Sequence, residues 1–143
     1  MKPIVIATDL SHISENATRE GVELARDLDA EVVLAHAWGP IEMTVMEATI
    51  ALPPEHLAAH VADMQRRLDE VAGRYRPTYA RISTRLVEGP PTEAVGALAT
   101  ALGARLIVAG TGVPRVLSLI LGSVASSLVR TAACPVLVVR AHP

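Results

Sequence analysis

Two periodicities of apolar residues divide this chain into strands and helices. Short runs of consecutive apolar residues, many of them β-branched, predict buried strands, and apolar residues three or four positions apart predict helices with one buried face. The predicted strands are Pro3–Thr8, Glu31–Trp38, Arg81–Val87, Leu106–Ala109 and Val136–Val139. The predicted helices run from Ser11 to Leu28, from Pro54 to Tyr75, from Pro91 to Gly103 and from Ser123 to Pro135. Strands that alternate with helices predict right-handed crossovers and therefore a parallel sheet.

Two stretches depart from this regular alternation. Arg81–Val87 alternates charged or polar residues with apolar ones, which is typical of an edge strand with one face in solvent. Gly39–Pro54 is apolar but bounded by prolines, and we interpret it as a loop with a partial helix. The sheet therefore has a predicted edge at its third strand and an irregular connection after its second.

Two serines mark predicted helix starts. Ser11 and Ser123 suit the N-cap position of the first and the fourth helix. In the fourth helix, Val124, Leu128 and Thr131 share one face at helical spacing.

Composition narrows the class of protein. The chain has 143 residues, half of them apolar, and its only aromatic residues are Trp38, Tyr75 and Tyr79. The core must therefore consist of Val, Leu, Ile and Ala, and the length predicts one domain over residues 1–143. The net charge of −2 creates no basic field for nucleic acid, and the lack of aromatic platforms argues against single-stranded nucleic acid as a partner.

Cysteine usage and hydropathy indicate the compartment. Cys134 is the only cysteine, which excludes an internal disulfide and is consistent with a reducing environment. The apolar run before Asp9 is too short for a signal peptide, and the uncharged stretch Val116–Val129 is too short to span a bilayer. We therefore expect a cytoplasmic protein that does not enter the membrane.

A glycine-containing connection follows the fourth predicted strand. The glycines of Gly110-Thr111-Gly112 allow close approach of the backbone, and a new helix begins at Gly122-Ser123. Backbone N–H groups at such a turn and at a helix N-terminus can converge on a phosphate, and the helix dipole has the matching sign. Glycine after a strand also serves packing alone in many parallel sheets, so the pattern by itself leaves both interpretations open.

The stretch Arg105–Arg140 resembles the C-terminal half of the universal stress protein (UspA) family. Nucleotide-binding members carry Gly, two residues, Gly, nine residues and then Gly-Ser or Gly-Thr. Here one residue separates Gly110 from Gly112, and Gly122-Ser123 follows after nine residues. The second half of the pattern matches in full, the first half is one residue shorter, and the trailing CPVLVVR is typical of the family's last strand.

The end of the first predicted strand carries a second part of this resemblance. Asp9, Ser11 and Ser14 resemble the family's Asp-x-Ser-x-x-Ser opening, and in that family the end of the first strand lies beside the base and the ribose. Asp9 could equally be a carboxylate that caps a helix N-terminus, and the residues alone leave both interpretations open.

The resemblance implies an architecture and a ligand. The implied fold is α/β, an open parallel five-stranded sheet of order 3-2-1-4-5 with helices on both faces, Rossmann-like and of the adenine nucleotide alpha hydrolase type. Ligands bind such sheets where the strand order reverses, here between the first and the fourth strand. The implied cofactor is ATP, with Mg²⁺ as a possible companion, and the implied partner is a second copy paired through Val136–Val139.

The family's binding residues carry over to two groups of positions. The adenosine side comprises Ala7, Thr8, Asp9 and Ala37. The phosphate side comprises Gly110, Thr111, Gly112, Gly122, Ser123 and Val124, whose backbone N–H groups and hydroxyls are the expected donors. Lys2 is the only lysine of the chain, so no P-loop lysine is available to bind a phosphate. Arg115 is the only cation of the connecting loop, and we assign it to the phosphate side.

Three functional interpretations follow. The leading one is an adenine-nucleotide-binding homodimer that acts as a stress-response switch, and the alternative is a related dimer that binds no nucleotide and acts through protein–protein contacts. ATP hydrolysis would require a base near the γ-phosphate, and Asp9 is expected at the nucleoside end, so we assign no catalytic residue.

His56 and His60 lie one helical turn apart but lack a glutamate base and belong to a solvated face, so we expect no metal site. His36 is interpreted as a core or rim residue.

Overall fold

The computed structural model describes residues 2–39, 42–45, 48–51, 53–111 and 123–140. The strands are β1 (Ile4–Ala7), β2 (Val32–Trp38), β3 (Glu42–Val45), β4 (Ala48–Ala51), β5 (Ile82–Glu88), β6 (Leu106–Gly110) and β7 (Val136–Val139). The α-helices are α1 (Glu15–Asp27), α2 (Pro54–Tyr75), α3 (Pro91–Leu102) and α4 (Ser123–Thr131), and one 3₁₀ turn, His12–Ser14, precedes α1.

Five of these strands form one parallel sheet in the order β5-β2-β1-β6-β7. This arrangement confirms the predicted parallel sheet of order 3-2-1-4-5 and places β5 at an edge, as its alternating pattern indicates. β1 lies at the centre, with Ile4 aligned to Val32 on one side and to Leu106 on the other. β2 and β5 are added on one side of β1, and β6 and β7 on the other, so the strand order reverses between β1 and β6.

Helices cover both faces of the sheet because neighbouring strand residues point to opposite sides. Ile4 and Ile6 are fully buried in a cluster with residues of α1 and α2, whereas Val5 is buried on the other face with residues of α3 and α4. Both clusters are built almost entirely from aliphatic residues, as the lack of aromatics predicts.

Gly21 sets how closely α1 approaches β1. A β-carbon at this position would lie 2.6 Å from Cδ1 and 2.9 Å from Cγ1 of Ile6, a side chain that is itself fully buried. Glycine is therefore required for this contact between helix and strand.

The prediction for Gly39–Pro54 is wrong in its secondary structure. The described part of this stretch forms two short antiparallel strands, with Met43 aligned to Ile50 and Thr44 to Thr49. These two strands pair with each other as a separate two-stranded sheet. The physical reason is the concentration of Thr, Val and Ile, whose branched side chains favour extended backbone over a partial helix.

The predicted helix boundaries are close to those observed, with two corrections. α1 begins at Glu15 rather than at Ser11, because the residues between them form the 3₁₀ turn. In α4 the buried residues are Ala125 and Leu128, whereas Thr131 is exposed and its hydroxyl donates to the carbonyl of Ser127 at 2.7 Å. α4 ends at this residue rather than at Pro135.

Candidate functional site

A cavity of about 250 Å³ opens at the carboxyl ends of β1 and β6. Parallel α/β sheets bind ligands at this position, because the helices that follow the two strands diverge and leave a crevice. The cavity is lined by Ala7, Thr8, Asp9, Ser14, His36, Ala37, Pro91, Val95, Ala109, Gly110, Thr111, Ser123, Val124 and Ala125.

The structure brings together the described members of both predicted groups. All four residues assigned to the adenosine side line the cavity, and so do four of those assigned to the phosphate side: Gly110, Thr111, Ser123 and Val124. Gly112, Arg115 and Gly122 lie outside the described residues.

Six lining residues were not assigned to the site from the sequence. Pro91 and Val95 follow β5, the neighbour of β2, so their arrival at the same edge depends on the strand order. Ala109 and Ala125 are buried core residues beside assigned positions. Ser14 and His36 form hydrogen bonds to the turn after β1. Only the strand order could have indicated these residues, since every loop at this edge of the sheet is a candidate lining segment once that order is known.

Asp9 stands in a tight turn directly after β1. Its Oδ1 accepts hydrogen bonds from the Ser11 backbone N–H at 2.9 Å and from the Ser11 hydroxyl at 2.5 Å. Partial burial alone raises the pKa of Asp9, but hydrogen bonds, those from Ser11 foremost, outweigh it and hold the pKa below its usual value. The side chain is therefore a carboxylate at neutral pH and offers only acceptor atoms to the cavity.

The hydroxyl of Ser11 does not cap a helix. Ser11 has the extended backbone of an N-cap residue before the 3₁₀ turn, but its hydroxyl makes no side-chain cap bond and instead donates to Asp9. The prediction of Ser11 as an N-cap is therefore right in position and wrong in its hydrogen bond.

Thr8 and Ser14 close the same turn from inside. The Ser14 hydroxyl donates to the Ser11 carbonyl at 3.0 Å, so its oxygen accepts the proton of Thr8, 2.9 Å away. The Thr8 oxygen in turn accepts the backbone N–H of Leu10 at 3.1 Å. Both hydroxyls are buried and satisfied, which fixes the backbone from the end of β1 to the start of α1.

His36 fixes the turn from the neighbouring strand. Its Nδ1 lies 2.8 Å from the carbonyl oxygen of Thr8. Because a carbonyl only accepts, Nδ1 carries the proton, and in the neutral ring Nε2 is then an acceptor. His36 is half-buried at the rim of the cavity, which agrees with its interpretation from the sequence.

The opposite side of the cavity is formed by the end of β6 and the start of α4. α4 begins at Ser123, and its first three residues line the cavity, so the positive end of the helix dipole faces the space. At Gly110 a β-carbon would make only ordinary contacts, the nearest at 3.5 Å to Ala17. Packing among the described residues therefore does not require glycine at 110, and this weakens the interpretation of that glycine as a packing residue alone.

One expected donor on this side is already used. The backbone N–H of Thr111 donates to the carbonyl of Val139 at 3.1 Å and extends the pairing of β6 with β7. The expectation that this N–H holds a phosphate does not fit the structure. The pairing of β6 with β7 takes this donor, leaving the start of α4 as the described source of backbone N–H groups.

Charge is distributed unevenly around the cavity. Asp9 is the only Asp, Glu, Lys or Arg among the described lining residues, and most of the other lining groups are small and apolar.

In the described part of the chain, no group of three or more His, Cys, Asp or Glu residues could hold a metal ion. No helix in that part is long and apolar enough to cross a membrane.

Fold and cavity together define an open α/β protein with a cavity where the strand order reverses. The chain belongs to the universal stress protein family, whose family model matches residues 1–140. This confirms the resemblance noted in the sequence.

Individual relatives agree with this assignment. A universal stress protein of Methanocaldococcus jannaschii is 32% identical over 148 residues, which cover 97% of this chain and 82% of the relative. A universal stress protein solved in complex with cAMP is similar in structure, with a TM-score of 0.72, 26% identity and coverage of 97% of this chain and 96% of that one. A universal stress protein from Archaeoglobus fulgidus in complex with dAMP has a TM-score of 0.70 at 22% identity, with coverage of 96% and 97%, and this likeness shows the fold.

Proposed function

We propose that the cavity between β1 and β6 binds an adenine nucleotide, with ATP and its Mg²⁺ as the first candidate. The bound nucleotide would set the state of a cytoplasmic homodimer that acts as a stress-response switch rather than as a turnover enzyme. The observation that carries the proposal is the chemical contrast within one cavity, which is lined both by the Asp9 carboxylate and by the N-terminus of α4. We propose that residues 1–143 work as one domain in this role.

The contrast favours one orientation of the nucleotide. Asp9 is an acceptor held in place by Ser11, so it suits the hydroxyl donors of a ribose and repels a phosphate. The start of α4 attracts a phosphate through its backbone N–H groups and its dipole. A nucleotide that places its sugar at Asp9 and its phosphates at Ser123 satisfies both.

Small apolar residues offer room for the base. Ala7, Ala37 and Val95 line the cavity from β1, β2 and α3, and none carries a group that would compete for a ligand's polar atoms. A largely apolar wall with a few fixed polar groups is typical of sites for small molecules. The base would therefore lie against this wall, with the backbone of Ala37 as its polar neighbour.

The sequence supplies the rest of the proposed phosphate side. Gly112, Gly122 and the guanidinium of Arg115 would add contacts to those of Ser123 and Val124. The similar protein in complex with cAMP supports an adenine nucleotide as the ligand class.

The homodimer is proposed through β7. This strand pairs only with β6 among the described strands, so its other edge meets no strand of the described chain and suits pairing with a second copy. Leu137 on β7 and Val129 on α4 are the exposed large apolar residues of the described chain, at 41% and 53% exposure. The same surface supports the alternative function, a dimer that binds no nucleotide and acts through protein–protein contacts.

The nucleotide is tested by calorimetric titration of stripped protein with Mg-ATP and with cAMP, after a denatured sample has been examined for carried nucleotide. Micromolar binding or co-purified nucleotide supports the proposal. The absence of both leaves the dimer as the functional element.

The dimer is tested by sedimentation of the wild type and of Leu137→Asp. The charge at an apolar edge is expected to shift the protein to monomer. A charge at the exposed Thr100 on α3, as Thr100→Asp, is the matched control. A wild type that sediments as a monomer contradicts the dimer.

A further inference from the structure

Leu10 has a left-handed backbone inside the turn that presents Asp9. Its φ angle is +66°, and Asp29 with φ +55° is the only other described non-glycine residue with a positive φ. Asp and Asn tolerate this region, whereas a leucine side chain makes it costly. Such a conformation persists only where the surrounding structure holds it, and residues of this kind concentrate at functional sites.

Two contacts hold Leu10 in this conformation. Its side chain is half-buried and packs against the core cluster between the sheet and the helices α1 and α2. Its backbone N–H donates to the Thr8 hydroxyl oxygen at 3.1 Å. The next residue, Ser11, is then directed back toward Asp9, where its N–H and its hydroxyl both meet Oδ1.

We propose that Leu10 is a positioning residue for the Asp9 carboxylate. The packed side chain anchors the left-handed backbone, the backbone returns Ser11 to Asp9, and the carboxylate is set for the ribose before the ligand arrives. This role rests on the proposed nucleotide function, because it assumes that Asp9 receives a sugar. A turn ordered in advance spares the ligand the entropy cost of ordering it on binding.

The positioning itself is testable without ligand. In Leu10→Ala the left-handed conformation keeps its cost and loses its anchor, so the Ser11 hydrogen bonds to Asp9 should open. By NMR, the Asp9 carboxyl is expected to titrate closer to its usual pKa than in the wild type, and the Ser11 amide to exchange about tenfold faster. Leu10→Met keeps an apolar side chain of similar volume and should retain both wild-type signals.

A second left-handed residue provides the matched control. Asp29→Gly relieves the same backbone conformation in an exposed turn between α1 and β2, away from the cavity, and should change neither signal. If Leu10→Ala does not fold, Leu10→Gly takes its place, since glycine accepts the left-handed region but removes the anchor. Its effects are expected in the same direction and smaller.

The ligand arm is calorimetric titration with adenosine, which carries no phosphate. Leu10→Ala should bind about 3- to 10-fold more weakly than the wild type, and Leu10→Met should bind as the wild type does. Wild-type Asp9 titration and Ser11 exchange in folded Leu10→Ala would overturn the positioning role. A wild type that binds neither adenosine nor ATP overturns the proposed function instead, and the NMR signals still decide the role of Leu10.

Discussion

The two sides of the cavity are built in different ways. After β1, side chains hold the turn: Thr8 and Ser14 bond to each other, Ser11 bonds to Asp9, and His36 bonds to the Thr8 carbonyl. After β6, the start of α4 brings backbone N–H groups to the cavity, and its attraction for anions comes from peptide dipoles. Side chains in fixed positions suit discrimination between sugars and bases, whereas a helix end suits any phosphate. We therefore expect substitutions on the two sides to change different properties of the ligand preference.

The largest effect is expected on the phosphate side. Gly122→Val places a branched side chain where phosphate must approach and should abolish ATP binding in calorimetric titration. Adenosine, which lacks the phosphate, should bind as before. Gly73→Val is the matched control, because a β-carbon at Gly73 meets open space. Unchanged ATP affinity in folded Gly122→Val would remove this glycine from the phosphate side.

The frame beneath the adenosine side is tested by Gly21→Ala. The added β-carbon would press on the buried Ile6 of β1, so the free energy of unfolding should fall by about 1–3 kcal/mol. Gly73→Ala, in an open and exposed helical position, should instead raise it by about 0.5–1 kcal/mol. Both values come from denaturant unfolding, and equal behaviour of the two variants would contradict the close packing of α1 on β1.

Asp9→Asn tests which end of the nucleotide lies beside Asp9. The variant removes the charge of an acceptor proposed for the ribose, and adenosine should bind about tenfold more weakly, since hydrogen bonds to charged groups contribute about 1.5–3 kcal/mol. Asp27→Asn, an exposed carboxylate on α1 outside the cavity lining, serves as the control. If adenosine affinity is unchanged while ATP binds more tightly, Asp9 faces the phosphates and the proposed orientation is wrong.

The smallest effect is on stability against pH. Because the pKa of Asp9 is lower in the folded state, its contribution is fully present above the pKa of the unfolded state and is lost as pH falls through the folded value. Asp9→Asn should therefore be slightly less stable than the wild type at neutral pH, and the difference should vanish in acid. Thermal unfolding from pH 7 downward measures it, and a difference that grows in acid would contradict the hydrogen bonds from Ser11.

The sheet could be predicted from the sequence because its signals are local and repeated. β1, β2, β6 and β7 are largely apolar runs of the right length, β5 alternates polar with apolar residues, and the predicted bounds of α2 coincide with the observed ones. The hairpin of β3 and β4 escaped prediction because a short apolar stretch between prolines fits a loop, a helix turn or a strand equally well. Only pairing between the two strands decides among these.

The location of the site could be predicted from the sequence more readily than the hydrogen bonds within it. Asp9 and Gly110 were expected at one crevice, and both line it. The hydrogen bonds of Ser11 and Thr111 could not be foreseen, since a hydroxyl chooses among nearby acceptors and the Thr111 N–H depends on where β7 lies against β6. His36 illustrates the same limit, because its partner Thr8, just after β1, is 28 positions away in the chain.

The most direct test of the proposed binding mode is a crystal structure of the protein with ATP and Mg²⁺. We predict a ribose hydroxyl at hydrogen-bond distance from the Asp9 carboxylate, about 2.5–3.0 Å, and phosphate oxygens at the first N–H groups of α4. A phosphate beside Asp9, or a nucleotide bound outside the cavity between β1 and β6, would contradict it.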